Sequence, residues 1–279
     1  MRKSIAVTAA GLAVTFFGLT ACGSGSGSGS GNSGGKDGTL VVGATAVPAG
    51  EVLTYVKDNL AEKAGLKLEI REFTDYVLPN TALQEGSLDA NLYQNQPFLD
   101  EFNKSKGTDL VSVVKAYLPP MGVYSKKVQD IGKLADGATV AVPNETTNEG
   151  RALKLLAAKG LITLKAGAGT DASPADITAN PKHLKFKELD PAQLPRSLDD
   201  LDVAVINNNY AQDAGLSPAK DAILLESATD NPYANLLAVK RGNEDDPRVE
   251  KLAKLLVSSD VKKFIAEKYK GSVLPVTSG

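Results

Sequence analysis

Short apolar segments alternate with longer amphipathic segments along most of this chain of 279 residues, and this alternation restricts the fold more than any other feature. Residues 39–44 form an apolar run with β-branched members, which indicates a buried strand. Four apolar residues then recur at helical spacing and predict a helix that ends at Gly65: Val52, Val56, Leu60 and Ala64. Residues 66–73 alternate apolar and polar side chains and predict a second strand. Strand, helix and strand in this order indicate an α/β fold.

The same pattern continues until two prolines interrupt it. The next predicted elements are helices near 80–85 and 97–104 and strands at 90–92 and 110–114. Pro119 and Pro120 follow. Proline fixes its own φ angle and has no N–H donor, so neither a helix nor a central strand continues easily through this pair. We therefore place a crossing between two lobes here.

A second series of α/β elements follows the prolines. Its predicted elements are strands at 138–142, 184–189 and 202–207 and a helix from Thr147 to Gly160. A strand at 235–240 and two apolar-striped helices after Val249 would return the chain to the first lobe. We predict a first lobe of residues 39–117 and 236–279 and a second lobe of residues 118–235. A cleft between two such lobes is the usual place for a small ligand.

The start of the chain predicts export and lipid attachment. Cationic Arg2 and Lys3 precede an apolar run over residues 5–19, which is typical of a secretory signal and short for a membrane span. Leu19-Thr20-Ala21-Cys22 places the only cysteine where a lipoprotein signal would be cleaved and acylated. We predict that residues 1–22 are a lipoprotein signal peptide with acylated Cys22, located at the extracytoplasmic face of the cell membrane. The alternative is an ordinary signal peptide with an incidental cysteine.

The composition of the chain indicates a linker, argues against one class of partner and excludes internal disulfides. Residues 23–38 are mostly Gly and Ser and predict a flexible linker. The net charge of -2 and the absence of a basic tract argue against nucleic acid as a partner. With a single cysteine the chain has no internal disulfide, so its stability must come from packing. Its content of 42% hydrophobic residues is ordinary for a globular protein.

Residue types that carry catalysis or bind metals are sparse. The only histidine, His183, lies at the start of a predicted strand, where a solvated loop residue is the more common role. Two pairs of adjacent acids, Asp199-Asp200 and Asp245-Asp246, lie in turn-like segments and are interpreted as solvated charge. The sequence has no nucleophile elbow, phosphate-binding loop or Cys/His cluster. We predict no catalytic residue, no metal site and no cofactor.

A polar segment passes from the end of a predicted strand into the first turns of a helix. Helix amino termini present unpaired N–H groups and a positive dipole end, which favour a carboxylate. Arg151 would add a two-pronged donor, and Asn148 lies three residues earlier on the same helical face. This arrangement predicts a binding site for a carboxylate. The alternative is a surface ion pair between Arg151 and Glu149 or another acid.

Three aromatic residues fall at predicted strand ends or loops of the first lobe. They are Tyr76, Tyr93 and Phe98, in a chain with only 5% aromatic residues. Such rings can wall a slot for an apolar or sulfur-bearing side chain. Ordinary core packing is the alternative for each of them.

Seven strings occur in order along the chain: FTDYVLPN (73–80), LDAN (88–91), YSKK (124–127), TNEGR (147–151), LPRSLDD (194–200), AVIN (204–207) and PYAN (232–235). Together they closely resemble the methionine-binding lipoproteins of ABC importers, the NlpA/MetQ type. The resemblance extends from about Leu40 to Pro275.

This resemblance implies a two-lobed periplasmic-binding-protein fold of type II-like form, whose cleft holds an amino acid, usually L-methionine. It also implies delivery to a membrane permease with ATPase subunits, by a protein that we expect to be a monomer. It further implies that Arg151, supported by Asn148, clamps the ligand carboxylate. Asn207 and Asn235 would contact the amino-acid head group. Tyr76, Tyr93 and Phe98 would form the wall around the ligand side chain.

The chain departs from the family pattern beside the side-chain slot. The family commonly has Phe, His and Tyr where this chain has Tyr93, Asn95 and Phe98. The change to Asn95 alters the donors near the slot, so a methionine-containing dipeptide or another apolar amino acid is an alternative ligand. Two alternatives from other classes are a periplasmic enzyme acting on amino acids or peptides and a surface adhesin that keeps a transport-protein fold.

Overall fold

The computed structural model describes residues 38–276. The predicted signal peptide, Cys22 and nearly all of the predicted linker lie outside the described residues. The strands are β1 (Leu40–Thr45), β2 (Leu68–Phe73), β3 (Ala90–Asn95), β4 (Leu110–Leu118), β5 (Gly122–Tyr124), β6 (Thr139–Pro143), β7 (Thr163–Leu164), β8 (Ile177–Ala179), β9 (Lys185–Leu189), β10 (Val203–Ile206), β11 (Leu224–Leu225), β12 (Asn235–Lys240) and β13 (Leu274–Pro275). The helices are α1 (Glu51–Val56), α2 (Leu78–Gln84), α3 (Gln96–Lys106), α4 (Thr146–Ala158), α5 (Asn208–Asp213), α6 (Pro218–Asp221), α7 (Pro247–Leu256) and α8 (Ser259–Tyr269).

The strands form two mixed sheets and a small hairpin-like pair. The first sheet has the order β13-β4-β12-β3-β1-β2, with β1 parallel to both neighbours and β12 antiparallel to both of its own. The second sheet has the order β11-β5-β10-β6-β9, with β6 parallel to β9 and β10. Strands β7 and β8 pair with each other. We call the part built on the first sheet the first lobe and the part built on the second sheet the second lobe.

The chain passes between the sheets twice within the described residues. It leaves the first sheet after β4, through Pro119 and Pro120, and enters the second sheet at β5. It returns between β11 and β12, through residues 226–234. The two crossings are in contact, since the N–H of Glu226 donates to the carbonyl of Met121 at 2.9 Å and the N–H of Met121 donates to Oε2 of Glu226 at 3.1 Å.

Alternate side chains along the strands pack on opposite faces of each sheet. In β1, Leu40, Val42 and Ala44 join the core formed with α1, α7 and α8, whereas Val41 faces the cluster that contains Leu99 of α3. The second sheet repeats this division, since Val140 and Val142 of β6 pack with α4 while Ala141 joins a different cluster. Successive side chains of a strand point to opposite faces, so helices can cover both sides of each sheet.

The cluster on that other face of the second sheet also contains residues of the first lobe. Tyr76 and Tyr93 lie there with Tyr124, Ile206 and Tyr210 of the second lobe. Apolar contact therefore continues from one lobe to the other beside the crossings. The short strands β5, β7, β8, β11 and β13 were not predicted from the sequence, because two or three residues carry no measurable periodicity.

Candidate functional site

A cavity lies between the two lobes. All eight residues that the sequence singles out for ligand binding line it: Tyr76, Tyr93, Asn95, Phe98, Asn148, Arg151, Asn207 and Asn235. Five further residues complete the lining: Pro48, Gln94, Pro119, Asn208 and Asn209. Carboxamide side chains thus dominate the wall, with aromatic rings on one side and a single guanidinium.

Sheet topology explains why residues that are distant in sequence meet here. Strands β6 and β10 are parallel neighbours, so their carboxyl ends lie at one edge, where Asn148 in the first turn of α4 and Asn207 just after β10 come together. In the first sheet, Asn235 at the start of β12 is paired with Asn95 at the end of β3. Ligands of open α/β sheets bind at such carboxyl-end edges.

The guanidinium of Arg151 is buried and already paired. Its Nε donates to Oε1 of Glu226 at 2.9 Å, and its Nη2 donates to Oε2 of Glu226 at 2.5 Å and to the carbonyl of Pro119 at 3.0 Å. The ring of Tyr233 covers the guanidinium carbon at 4.3 Å from the ring centroid. These bonds use Nε and Nη2, so Nη1 is the nitrogen left for a ligand.

The structure corrects the alternative interpretation of Arg151 as a surface ion pair. Arg151 lines the cavity, as the binding interpretation requires, and it also makes an ion pair with an acid other than Glu149, namely Glu226. The pair is not at the surface, because the two side chains are only 3% and 12% exposed. No local pattern predicts Glu226, which is 75 positions away along the chain.

Glu226 is ionised in spite of its burial. Burial acts to raise the pKa of Glu226, but the charge of Arg151, its hydrogen bonds and the backbone N–H of Met121 outweigh burial and hold this pKa below its ordinary value. Arg151 and Glu226 therefore form a neutral pair, and a zwitterionic ligand adds no net charge to the cavity.

A chain of carboxamides connects the two strand ends of the second lobe. Asn207 donates from Nδ2 to Oδ1 of Asn148 at 2.9 Å, and Asn148 donates from Nδ2 to Oε2 of Glu145 at 2.7 Å. Within the described part of the chain, Oδ1 of Asn207 is buried and has no hydrogen-bond partner. A buried acceptor without a partner is costly, so Asn207 presents an acceptor that a ligand N–H would satisfy.

Asn235 presents a second acceptor from the first lobe. Its Nδ2 donates to the carbonyl of Tyr93 at 2.8 Å and to the hydroxyl of Tyr117 at 3.3 Å. The donor side of this amide is thus fixed by the protein, and Oδ1 is the atom free to accept. Asn207 and Asn235 together offer two acceptors from opposite lobes, as a ligand ammonium group requires.

The aromatic residues form one wall in the first lobe. The ring of Phe98 meets the rings of Tyr76 and Tyr93 edge-on, with centroids 5.9 Å and 6.1 Å apart. Tyr93 donates its hydroxyl proton to the carbonyl of Tyr76 at 2.9 Å. Burial raises the pKa of Tyr76 and that of Tyr93 well above the ordinary value, so both hydroxyls are neutral.

Asn95 has a structural task besides lining the cavity. It is the N-cap of α3, and its Oδ1 accepts from the backbone N–H of Phe98 at 3.1 Å. The cap fixes the orientation of the amide, which leaves Nδ2 for the cavity. Asn followed by Pro at the second helical position is a cap signal, and the sequence analysis did not use it.

A buried amide network supports the wall from behind. Asn80 and Gln94 exchange two hydrogen bonds of 2.8 and 2.7 Å, and Gln94 donates a third to Asn91 at 3.0 Å. Since all three side chains are nearly inaccessible, such a network restricts their rotamers. Gln94 lines the cavity and was missed by the sequence analysis.

The other titratable residues singled out earlier lie apart from the cavity lining. His183 is exposed and contacts Asp136, Asp199 pairs with Lys126, and Asp246 caps α7 while pairing with Arg248. Among residues 38–276, no group of His, Cys, Asp and Glu is arranged to hold a metal ion. The helices of this described part are also too short or too polar to cross a bilayer.

Similarity to known proteins identifies the family of the chain. The profile of the NlpA lipoprotein family matches residues 40–277. The D-methionine-binding lipoprotein MetQ of Salmonella typhimurium is 45% identical over 229 residues, which cover 81% of this chain and 84% of the relative. MetQ of Escherichia coli K12 is 43% identical over the same shares of the two chains.

Solved structures agree in fold. A nutrient binding protein from Burkholderia cenocepacia bound to methionine is 50% identical with a TM-score of 0.83, covering 86% of this chain and 100% of that one. Lipoprotein Tp32 from Treponema pallidum is 38% identical with a TM-score of 0.82 at the same coverage. These likenesses confirm the predicted two-lobed periplasmic-binding-protein fold. With a family profile that spans nearly all of the described residues, the chain belongs to the NlpA lipoprotein family.

Proposed function

We propose that this protein is an extracytoplasmic lipoprotein that captures methionine in the interlobe cavity and delivers it to an ABC importer. The observation that carries the proposal is the complementarity of the lining to an amino-acid zwitterion beside an apolar side chain, in a chain 50% identical to a methionine-bound structure.

Each part of methionine has a matching group in the lining. The carboxylate would accept from Nη1 of Arg151, a charge-assisted bond whose geometry Glu226 fixes. The ammonium group would donate to Oδ1 of Asn207 and Oδ1 of Asn235. The thioether would pack against the wall of Tyr76, Tyr93 and Phe98, where each sulfur–ring contact contributes about 0.3–1.5 kcal/mol.

Capture and release need no covalent step. Ligand would bind one lobe in an open form, and contacts from the other lobe would favour closure, because only a difference in affinity between the two forms can shift their equilibrium. The closed form is then what a permease with ATPase subunits recognises. We further propose that acylated Cys22 anchors the protein at the extracytoplasmic face of the membrane, with the linker as tether, and that the protein acts as a monomer and not as an enzyme.

Calorimetry on the purified protein tests the ligand. We expect one L-methionine or D-methionine per chain, with weaker binding of leucine and of a methionyl dipeptide, and mass spectrometry should recover the ligand chemically unchanged. Preference for the dipeptide would overturn the assignment of a single amino acid, and a converted product would indicate an enzyme.

A matched pair of variants tests the site. Asn235→Ala should raise the dissociation constant for methionine by about ten- to a hundredfold, because a hydrogen bond to a charged group is lost. Asn59→Ala makes the same chemical change on an exposed helix surface, where Asn59 bonds only to the carbonyl of Tyr55. It should leave the dissociation constant unchanged. Equal affinity of the two variants would exclude Asn235 from the site.

A further inference from the structure

Two adjacent residues of α5 reach from the second lobe to the first. Tyr210 donates its hydroxyl proton to the backbone carbonyl of Thr74 at 3.0 Å. Asn209 accepts at Oδ1 from the hydroxyl of Tyr76 at 2.5 Å. The rings of Tyr76 and Tyr210 also lie 5.1 Å apart. Helix α5 follows β10 of the second sheet, whereas residues 74–76 follow β2 of the first, so all three contacts join the lobes.

Within the described chain, Asn209 also has a buried donor without a partner. The residue is 9% exposed and lines the cavity, and its Nδ2 is buried without a hydrogen-bond partner among the described residues. The acceptor of this amide is thus engaged by the opposite lobe, while its donor awaits a partner. A buried amide donor without a partner is costly unless a ligand acceptor satisfies it.

Tyr210 differs from Asn209 in this respect. Tyr210 is not among the described residues that line the cavity, and its hydroxyl already donates to the carbonyl of Thr74. Any effect of this hydroxyl on ligand affinity is therefore indirect and acts through the first-lobe segment of Thr74 to which it bonds. This separation lets closure be tested without removing a ligand contact.

From these contacts we infer that Asn209 and Tyr210 form an interlobe latch: Tyr210 holds the closed form by its bond to Thr74, and Asn209 couples binding to closure by donating to the ligand carboxylate while accepting from Tyr76. The latch rests on the proposed binding of methionine. Rotation of the lobes away from each other breaks both bonds, so they stabilise only the closed form. They thereby lower the free energy that the ligand must supply for closure and slow its release.

Removal of one hydroxyl tests the closing half of the latch. Tyr210→Phe should raise the dissociation constant for methionine by about two- to tenfold, mainly through a faster dissociation rate, since one hydrogen bond of the closed form is lost. Tyr124→Phe is the matched control, because the Tyr124 hydroxyl is buried in the second lobe and has no partner within the described residues. It should change the dissociation constant less than twofold.

An isosteric substitution of Asn209 tests the proposed coupling between ligand binding and closure. Asn209→Asp keeps an acceptor for the Tyr76 hydroxyl but places a carboxylate oxygen where Nδ2 faced the ligand carboxylate. We expect the dissociation constant for methionine to rise at least tenfold, and the melting temperature of the ligand-free protein should fall as well, because the new carboxylate is buried without a compensating charge. Calorimetry and radiolabelled ligand exchange measure both variants.

The outcomes separate the latch from the function beneath it. Wild-type protein that binds methionine, with Tyr210→Phe indistinguishable from Tyr124→Phe, would overturn the latch alone. Wild-type affinity in Asn209→Asp would overturn the ligand contact of Asn209 and with it the coupling. Wild-type protein that binds no methionine would overturn the proposed function and the latch together.

Discussion

Replacement of Arg151 by methionine would separate the two roles of this residue. The substitution Arg151→Met keeps an unbranched side chain of similar reach but removes the charge and every donor. It leaves the carboxylate of Glu226 with neutral partners, the side chain of Asn231 and the backbone N–H of Met121 at 3.1 Å. We expect loss of methionine binding and, in addition, a large loss of stability in the ligand-free protein.

The size of that loss follows from burial. An exposed ion pair contributes about 0–1 kcal/mol, whereas removal of one partner of a buried pair costs about 3–5 kcal/mol, because the other charge is left without compensation. The side chains of Arg151 and Glu226 are 3% and 12% exposed, which places them in the second class. The double variant Arg151→Met/Glu226→Gln removes both charges and should recover all but about 1–2 kcal/mol.

Urea unfolding followed by circular dichroism measures these free energies, and calorimetry on the same samples measures binding. The single and double variants should differ in stability by at least about 2 kcal/mol, whereas neither should bind methionine. A single variant within 1 kcal/mol of wild type would refute the argument from burial. A double variant that binds like wild type would remove Arg151 from the ligand site.

The pH dependence of stability provides an independent test of the pairing between Arg151 and Glu226. In the wild type the pKa of Glu226 is held below 4.5, so its contribution to stability is present above that pH and is lost as the pH falls. Without the guanidinium, burial alone raises the pKa of Glu226, and the folded state then binds a proton more tightly than the unfolded state. The Arg151→Met variant should therefore lose stability, relative to wild type, as the pH rises above 4.5. An unchanged pH profile would refute this pairing.

Three further predictions concern α4 and the residues around it. Burial raises the pKa of Glu145 to about 7, so ionisation of Glu145 weakens the folded state as the pH rises from 4.5 to about 7. In urea unfolding at pH 8, Glu145→Gln should therefore be more stable than wild type by on the order of 2 kcal/mol, with no such gain at pH 4. Gly150→Ala should cost about 1–3 kcal/mol by the same assay, because the new Cβ would collide with the backbone carbonyl of Thr170, which cannot rotate away as a side chain would; stability equal to wild type would mean that this loop yields freely. Leu153→Ala should cost about 2–5 kcal/mol, because Leu153 is fully buried in the core of the second lobe, and a loss below 1 kcal/mol would contradict that packing.

Much of the architecture follows from local patterns. The helix predicted from Thr147 to Gly160 is α4, and the strands predicted at 39–44 and 138–142 are β1 and β6 within one residue at each end. These elements are long and periodic, and their buried faces are set by side chains three or four positions apart in a helix and two apart in a strand. Such regularities are independent of where the rest of the chain lies. The position of the crossing at Pro119 and Pro120 likewise follows from the chemistry of proline.

Local pattern singled out Arg151 and Asn148 as a predicted carboxylate site, and the resemblance to a family added Asn235. Neither the pattern nor the resemblance could say which atoms of these side chains face the cavity. Which nitrogen or oxygen of each side chain faces the cavity depends on the partners that occupy the others. Those partners, Glu226 and Tyr93, belong to other elements.

By itself, then, the amino-acid sequence determined the α/β class, the long helices and strands, the proline crossing and the residue types available for a polar cleft. Tertiary structure alone decided that Glu226 neutralises Arg151 and that Asn209 and Tyr210 join the lobes through contacts 133 and 136 positions apart in sequence. The physical reason is that helices and strands arise from interactions between near neighbours in the chain. A buried polar group, by contrast, takes whichever partner the packing of the sheets brings within hydrogen-bonding distance.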